Sequence, residues 1–300
     1  GPFEDNLQQI RETGENGTYL PGVQVPVGIQ WTADRATAVE GAGLAVLVVP
    51  SRFYKPVVES FRSHLPENAL IVSATKGLDE NTHERMSEVA EQILKRPVAV
   101  LSGPSHAEEV ARGVPCAVAV AADDHSVAER IQHCFVNDTF RVYTLDDVIG
   151  VELGGALKNV IAVAAGISDG MGFGDNSKAA LMTRGLAEIT RLGTALGARP
   201  ETFSGLSGIG DLMVTCMSRH SRNRGVGERL GKGESLEEIM AGMKMVAEGI
   251  WNCRAAKELA DQNRIPVPIT EQVCAVVHEG KDPRRAVMDL MARAPRPEQQ

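Results

Sequence analysis

The stretch Val151–Ile167 (VELGGALKNVIAVAAGI) is apolar almost all the way round. A surface helix keeps one polar face for water, so a helix without one has to be enclosed by other elements or by lipid. Glu152, Lys158 and Asn159 fall inside it, its length is borderline for a bilayer, and the neighbouring helical stretches are polar. An enclosed position inside a protein follows, with no membrane insertion. Any fold for this chain must therefore be built around one central helix. On the N-terminal side of that helix, short β-branched runs alternate with helical stretches, the pattern of a parallel sheet covered by helices. From about Val148 to Met291 the strand signal stops and everything reads as helix.

Strands are predicted near Val27–Trp31, Leu44–Val49, Leu70–Ala74, Val98–Ser102, Ala117–Ala121 and Phe140–Thr144. Two of these runs, Leu44–Val49 and Val98–Leu101, are continuously apolar, as in strands buried on both faces. Helices are predicted over Arg35–Glu40, Arg52–His64, Thr82–Leu94, Ser105–Arg112 and Ser126–Val136. The change of pattern divides an α/β unit, residues 1–147, from an all-α unit, residues 148–300. A frayed tail is expected over Ala294–Gln300.

Composition narrows the function. Lys and Arg total 31 against 39 for Asp and Glu, giving a net charge of −8 and a pI near 5.5, which excludes a general grip on nucleic acid or anionic membrane. Any anion site must be local. Five widely spaced cysteines without a C-x-x-C pair indicate neither a disulfide framework nor a zinc site, and no metal is expected. A reducing cytoplasm is the simplest compartment. The opening residues Gly1–Asp5 carry none of the features of a secretory signal.

A dinucleotide-binding α/β unit should show G-x-G-x-x-G after its first strand, and that string is absent. Gly41-Ala42-Gly43 precedes a strand and reads as a helix-ending turn, and Gly170–Gly174 falls in a helix-to-helix connection. Candidate chemistry lies elsewhere. Lys158, beside small residues on the enclosed helix, is either a desolvated lysine with a lowered pKa, suited to base catalysis, or one that snorkels or pairs with a carboxylate. Lys76 follows the strand at Leu70, where open parallel sheets bind ligands, and is an anion contact or simply solvated. Ser105, with Glu108 three residues on, reads as a capping box, and His106 as an exposed first-turn residue. Gly205–Cys216 leads into Met217–Arg224, where three arginines among hydroxyl and amide side chains suggest a phosphate site, with a solvated basic turn favoured for Arg219 and Arg224. Glu248, in Met243–Gly249, reads as a surface or capping residue unless a ligand lies nearby.

Taken in order and spacing, Tyr19–Gly22, Ser73–Gly77, Leu101–Ser105, Val151–Asn159, Gly208–Thr215 and Ser221-Arg222-Asn223 resemble the bacterial NAD(P)-dependent glycerol-3-phosphate dehydrogenases, over about Asn16 to Met291. The resemblance implies a Rossmann-type parallel-sheet domain followed by a helical substrate domain. It implies interconversion of sn-glycerol 3-phosphate and dihydroxyacetone phosphate with NAD or NADP, feeding glycerophospholipid synthesis. Lys158 matches the family's proton acceptor. Lys76, Gly103, Ser105, Asn159, Asp211, Thr215, Ser221, Arg222 and Asn223 match substrate positions, and Lys76, Ala107, Arg222, Val246 and Glu248 match cofactor positions. Family members are often dimeric, so a homodimer is implied.

The chain departs from the family pattern at its start, where a strand, glycine-rich loop and helix would precede the Tyr19–Gly22 region. The Rossmann-type unit is therefore expected to be N-terminally incomplete, with Leu44–Val49 as an apolar edge. A fragment or a wrongly assigned start is the reading this favours. Catalytic impairment, or cofactor-free binding of triose phosphates, is the alternative function. Other substrates of the β-hydroxyacid dehydrogenases fit less well with Ser221-Arg222-Asn223.

Overall fold

A computed structural model describes residues 3–243, 245–295 and 297–298. The elements in chain order are α1 (Glu4–Thr13), α2 (Arg35–Val39), β1 (Leu44–Leu47), α3 (Ser51–Phe61), β2 (Leu70–Ser73), α4 (Met86–Leu94), β3 (Ala99–Ser102), α5 (Ala107–Val110), β4 (Cys116–Ala121), α6 (His125–Phe135) and β5 (Phe140–Leu145). Only helix follows: α7 (Val148–Gly170), α8 (Asp175–Ala195), two short turns to Gly210, α9 (Asp211–Met217), α10 (Arg222–Gly231), α11 (Leu236–Ala241), α12 (Gly249–Asn263), α13 (Pro268–His278) and α14 (Pro283–Met291). The sheet has the order β1-β2-β3-β4-β5, with β1, β2 and β3 parallel and β4 paired antiparallel to β3 and parallel to β5.

Five of the six expected strands form; Val27–Trp31 does not. Gly28 there turns at φ +104°, Val27 is fully exposed, and the Trp31 carbonyl accepts from the Arg11 guanidinium rather than from a neighbouring strand. β-branched residues suit a strand only where a partner supplies the ladder. The expected edge at Leu44–Val49 is present: among the described residues β1 pairs only with β2, and Val46 and Val48 are 43% and 68% exposed. Helix α1 was not expected, although Leu7 and Ile10 share its buried face and Gly14 ends it at φ +69°. The capping box at Ser105 is a correction. His106 is the N-cap residue of α5, and Ser105 Oγ instead donates to the Gly103 carbonyl at 3.0 Å. In the expected frayed tail, Arg296, Gln299 and Gln300 lie outside the described residues, and the rest carries no helix or strand.

Helix α7 is the enclosed helix. It is long and apolar enough to cross a membrane by composition alone, but 94% of its most apolar window is buried within the protein. Its start is fixed by Asp147, which accepts from Gly150 N at 2.9 Å and also holds Arg199 N and Thr202 Oγ1. Glu152, buried one turn on, accepts from Ser87 N and Ser87 Oγ and from Arg85, tying α7 to α4 beside the sheet. Burial pushes the Glu152 carboxyl up, against the pull of the Arg85 charge.

Helix α10 lies directly on α7 through glycines. A Cβ at Gly166 would sit 2.0 Å from the Arg224 carbonyl oxygen, and one at Gly227 would sit 2.0 Å from the Val163 carbonyl oxygen. The same holds one turn on, at Gly170 against Glu228 and Gly231 against Ile167. Backbone touches backbone here, so any side chain would force the helices apart.

Candidate active site

The carboxyl ends of β2 and β3 deliver Lys76 and the Gly103–Ser105 turn to the face of α7 that carries Lys158 and Asn159, while α9 and α10 close the far side. Gly103 is at φ +142°, and a Cβ on it would lie 2.9 Å from Val118 Cα, so the turn off β3 requires glycine. This brings Lys76 and Asp211, 135 positions apart, into hydrogen-bond contact. Lys158 Nζ donates to Asp211 Oδ1 at 2.8 Å and to Thr215 Oγ1 at 2.6 Å. Lys76 Nζ donates to Asp211 Oδ2 at 2.6 Å and to the Gly103 carbonyl at 2.8 Å. Thr215 Oγ1 in turn donates back to the Asp211 carbonyl. An ammonium has three N–H donors, so each lysine keeps one uncommitted to the protein.

Lys158 is 5% exposed and Asp211 is 2% exposed. Burial lowers Lys158 to a pKa of about 8, with Asp211 opposing the drop and Lys76 adding to it. Burial alone would push the Asp211 carboxyl up, yet the Lys158 and Lys76 charges hold it below the usual carboxylate range. Both sequence readings of Lys158 are thus realised together: it is desolvated and it is paired.

A chain of amides orders the neighbouring wall. Gly249 N donates to Asn223 Oδ1 at 2.8 Å, Asn223 Nδ2 to Asn159 Oδ1 at 3.0 Å, and Asn159 Nδ2 to the Lys76 carbonyl at 3.1 Å. Ser221 caps α10 by accepting from Arg224 N, and Arg222 donates to the Val246 carbonyl at 2.8 Å. Ser221, Arg222 and Asn223 therefore sit at the N-terminus of a ten-residue helix, where backbone N–H groups and the dipole favour an anion.

Two expectations are corrected here. Arg224 is not a solvated turn residue but is paired with Asp169 at 2.7 Å, whereas Arg219 is exposed as expected. Glu248 meets the capping expectation, being the half-buried N-cap residue of α12, and its carboxylate also accepts from Ser51 N and Ser51 Oγ at the start of α3, a contact that reasoning along the sequence could not find across 197 positions. Burial raises its pKa. His106 differs too: its Nε2 is buried without a hydrogen-bond partner, and its ring lies 6.2 Å from that of His220. Ala107 is exposed at the first position of α5.

A nicotinamide dinucleotide fits this arrangement at its reactive end. The carboxyl ends of β2 and β3 face the Lys76–Asp211–Lys158 cluster, and a buried polar atom there, Ser102 Oγ, has no protein partner. The described residues hold no G-x-G-x-x-G turn for the pyrophosphate.

Comparison with known proteins agrees with the geometry. The profile of the NAD-dependent glycerol-3-phosphate dehydrogenase N-terminus matches residues 3–128, and that of its C-terminus matches residues 147–288. The chain is 55% identical over 285 residues to a glycerol-3-phosphate dehydrogenase [NAD(P)+] of Moorella thermoacetica, covering 95% of this chain and 85% of that one. It is 50% identical over 302 residues to the protein of that name from Geobacillus kaustophilus, covering 99% and 88%. The crystal structure of glycerol-3-phosphate dehydrogenase from Coxiella burnetii superposes with a TM-score of 0.93 at 37% identity, over 97% of this chain and 90% of that chain. With two family profiles spanning both halves and relatives matched over nearly its whole length, this chain belongs to the NAD-dependent glycerol-3-phosphate dehydrogenase family.

Proposed function

We propose that Lys158 exchanges the proton in the interconversion of sn-glycerol 3-phosphate and dihydroxyacetone phosphate, and that the surrounding residues divide into a reacting end and an anion end. The observation that carries this reading is the Lys158 ammonium, buried, held by Asp211 and Thr215, and left with one free N–H. In oxidation the neutral lysine takes the C2 hydroxyl proton; in reduction the ammonium gives a proton to the forming alkoxide. NAD or NADP, when bound, accepts or supplies the hydride at C2. Lys76 adds a second N–H beside the same oxygen, and Asp211 keeps both lysines aimed. Gly103, Ser105, Asn159 and Thr215 position the carbon chain. Ser221, Arg222 and Asn223, at the start of α10, hold the phosphate, which fixes the carbinol carbon against Lys158.

Ala107, Val246, Glu248, Lys76 and Arg222 would contact the cofactor. Glu248, tied to Ser51 at the start of α3, stands beside the carboxyl end of β1, as a cofactor contact requires. Residues 1–147 serve as the cofactor-binding unit and 148–300 as the substrate unit. A homodimer in the cytoplasm completes the reading, supported by the family resemblance and by five free cysteines. The glycerol phosphate formed would feed glycerophospholipid synthesis.

The test is oxidation of NADH and NADPH by dihydroxyacetone phosphate, with Lys158→Ala as control. Turnover that vanishes in the variant supports the assignment; turnover that survives unchanged removes Lys158 from the chemistry.

A further inference from the structure

We propose that His106 is a substrate contact, its Nε2–H donating to a phosphate oxygen of the three-carbon phosphoester, with His220 closing the same side of the pocket. The proposal rests on the triose-phosphate reading given above and adds a residue to it. Its ground is placement. His106 follows the Gly103–Ser105 turn from β3, and its ring lies 6.2 Å from that of His220, tilted by 55°. His220 immediately precedes Ser221, the N-cap of α10, and so stands at the anion end. At its other side the Gly103–Ser105 turn that leads into His106 accepts a hydrogen bond from Lys76 Nζ at 2.8 Å through the Gly103 carbonyl. The imidazole therefore spans the interval between the proton-exchanging lysine and the phosphate-holding helix start, the interval a three-carbon phosphoester has to fill.

The second ground is an unmet hydrogen bond. Nε2 of His106 is buried and has no partner, and a buried polar atom without one is normally satisfied by a water or a ligand. Burial foremost, and then the Lys158 charge, lowers the imidazole's pKa, which favours the neutral ring, and the proposed contact takes the tautomer with its proton on Nε2. A neutral donor suits this place: it binds a phosphate oxygen without adding a third positive charge beside Lys76 and Lys158.

The test compares the parent chain with His106→Phe, which keeps a ring against His220 but removes the donor, and His106→Gln, which restores an N–H at similar reach. Dissociation constants for sn-glycerol 3-phosphate come from calorimetry, and KM and kcat from dihydroxyacetone phosphate reduction. His106→Phe is expected to weaken glycerol 3-phosphate binding and raise the dihydroxyacetone phosphate KM about tenfold to a hundredfold, with kcat and the NADPH KM within about threefold. His106→Gln should recover most of the loss, and competitive inhibition by inorganic phosphate should weaken in parallel. Substrate affinity in His106→Phe within twofold of the parent overturns the contact. Weakened substrate binding with unchanged phosphate inhibition moves the contact to the carbinol end and overturns the phosphate assignment. A loss in His106→Phe that His106→Gln shares in full marks a packing role and overturns it as well. A parent that neither binds glycerol 3-phosphate nor turns over its ketone overturns the triose-phosphate reading and this contact with it, and that outcome is visible before any variant is compared.

Discussion

Lys76 and Lys158 approach the two oxygens of one carboxylate, Lys76 Nζ at 2.6 Å from Asp211 Oδ2 and Lys158 Nζ at 2.8 Å from Oδ1. Two cations thus share a single buried anion, Lys158 enclosed with it and Lys76 partly exposed, and the surplus positive charge awaits a negative ligand. An alkoxide forming beside Lys158 would meet that charge without solvent reorganisation.

The pH dependence of the two directions should be opposite. Glycerol 3-phosphate oxidation needs neutral Lys158, so its kcat/KM should rise through a pKa of about 8. Reduction needs the ammonium and should fall through the same pKa. Asp211 opposes the lowering of Lys158, so Asp211→Asn should move both limbs to lower pH, by about one unit or more. Paired pH–rate profiles decide it; limbs that stay in place would separate the titrating group from Lys158.

Stability should carry the same signature. Lys158 sits near 8 in the folded chain against an ordinary 10.5, so between those values the unfolded chain binds more protons. Stability therefore gains a rising component from pH 8 to 10.5, the sign expected for a base whose folded pKa is depressed. Asp211 acts oppositely placed on the scale: held below its ordinary 3.8, it contributes stability above that value that is lost as pH falls further. In Lys158→Met the alkaline rise should flatten, as read by Tm across pH 7 to 10 at constant ionic strength.

Asn223→Leu should destabilise the protein by about 1–3 kcal/mol, because it leaves Gly249 N and Asn159 Oδ1 buried without partners. Chemical denaturation measures the loss. Substrate affinity should fall with it, since Asn223 is itself a proposed phosphate contact and Asn159, though still bonded to the Lys76 carbonyl, would lose the donor on its Oδ1.

Gly166→Ala should prevent native packing of α7 on α10, because its methyl would fall on the Arg224 carbonyl oxygen at 2.0 Å. A cost above about 3 kcal/mol is expected, well beyond the usual effect of an added methyl in a core. Gly225→Ala, on the same α10 but with open space around its Cβ, should be nearly neutral, and the pair of Tm values separates close approach from helix propensity.

How far the sequence reaches is clear from particular residues. Val98–Leu101 was legible because burial on both faces leaves a continuous apolar run, whereas Leu44–Val49 has the same run but not the burial: it forms the sheet edge, with Val46 and Val48 exposed. Val151–Ile167 was legible for the same reason as Val98–Leu101, in helical form. Val27–Trp31 misled because composition reports suitability for a sheet but not the presence of a neighbour. The reversal of β4 against β3 leaves no mark in Cys116–Ala121, since direction is set by how the chain returns and not by the strand's own residues. Lys158 could be singled out from the small residues around it, whereas Asp211 came only from the family resemblance and its pairing with Lys158 was not legible, because nothing local announces a contact across 53 positions. His106 looked like a first-turn surface residue, and only the fold shows its ring turned toward His220.

The glycine contact between α7 and α10 works as a fixed calliper. One jaw carries the lysine that would handle the proton, the other the helix start that would hold the anion, and their opening is set by carbonyl oxygens resting on bare Cα atoms. Side-chain replacement cannot narrow such an opening, and can widen it only by breaking the seat. Selection or engineering for a longer or shorter phosphoester would then have to act on the loops at Gly103–His106 and Ser218–Ser221, which can be recut while the jaws stay where they are.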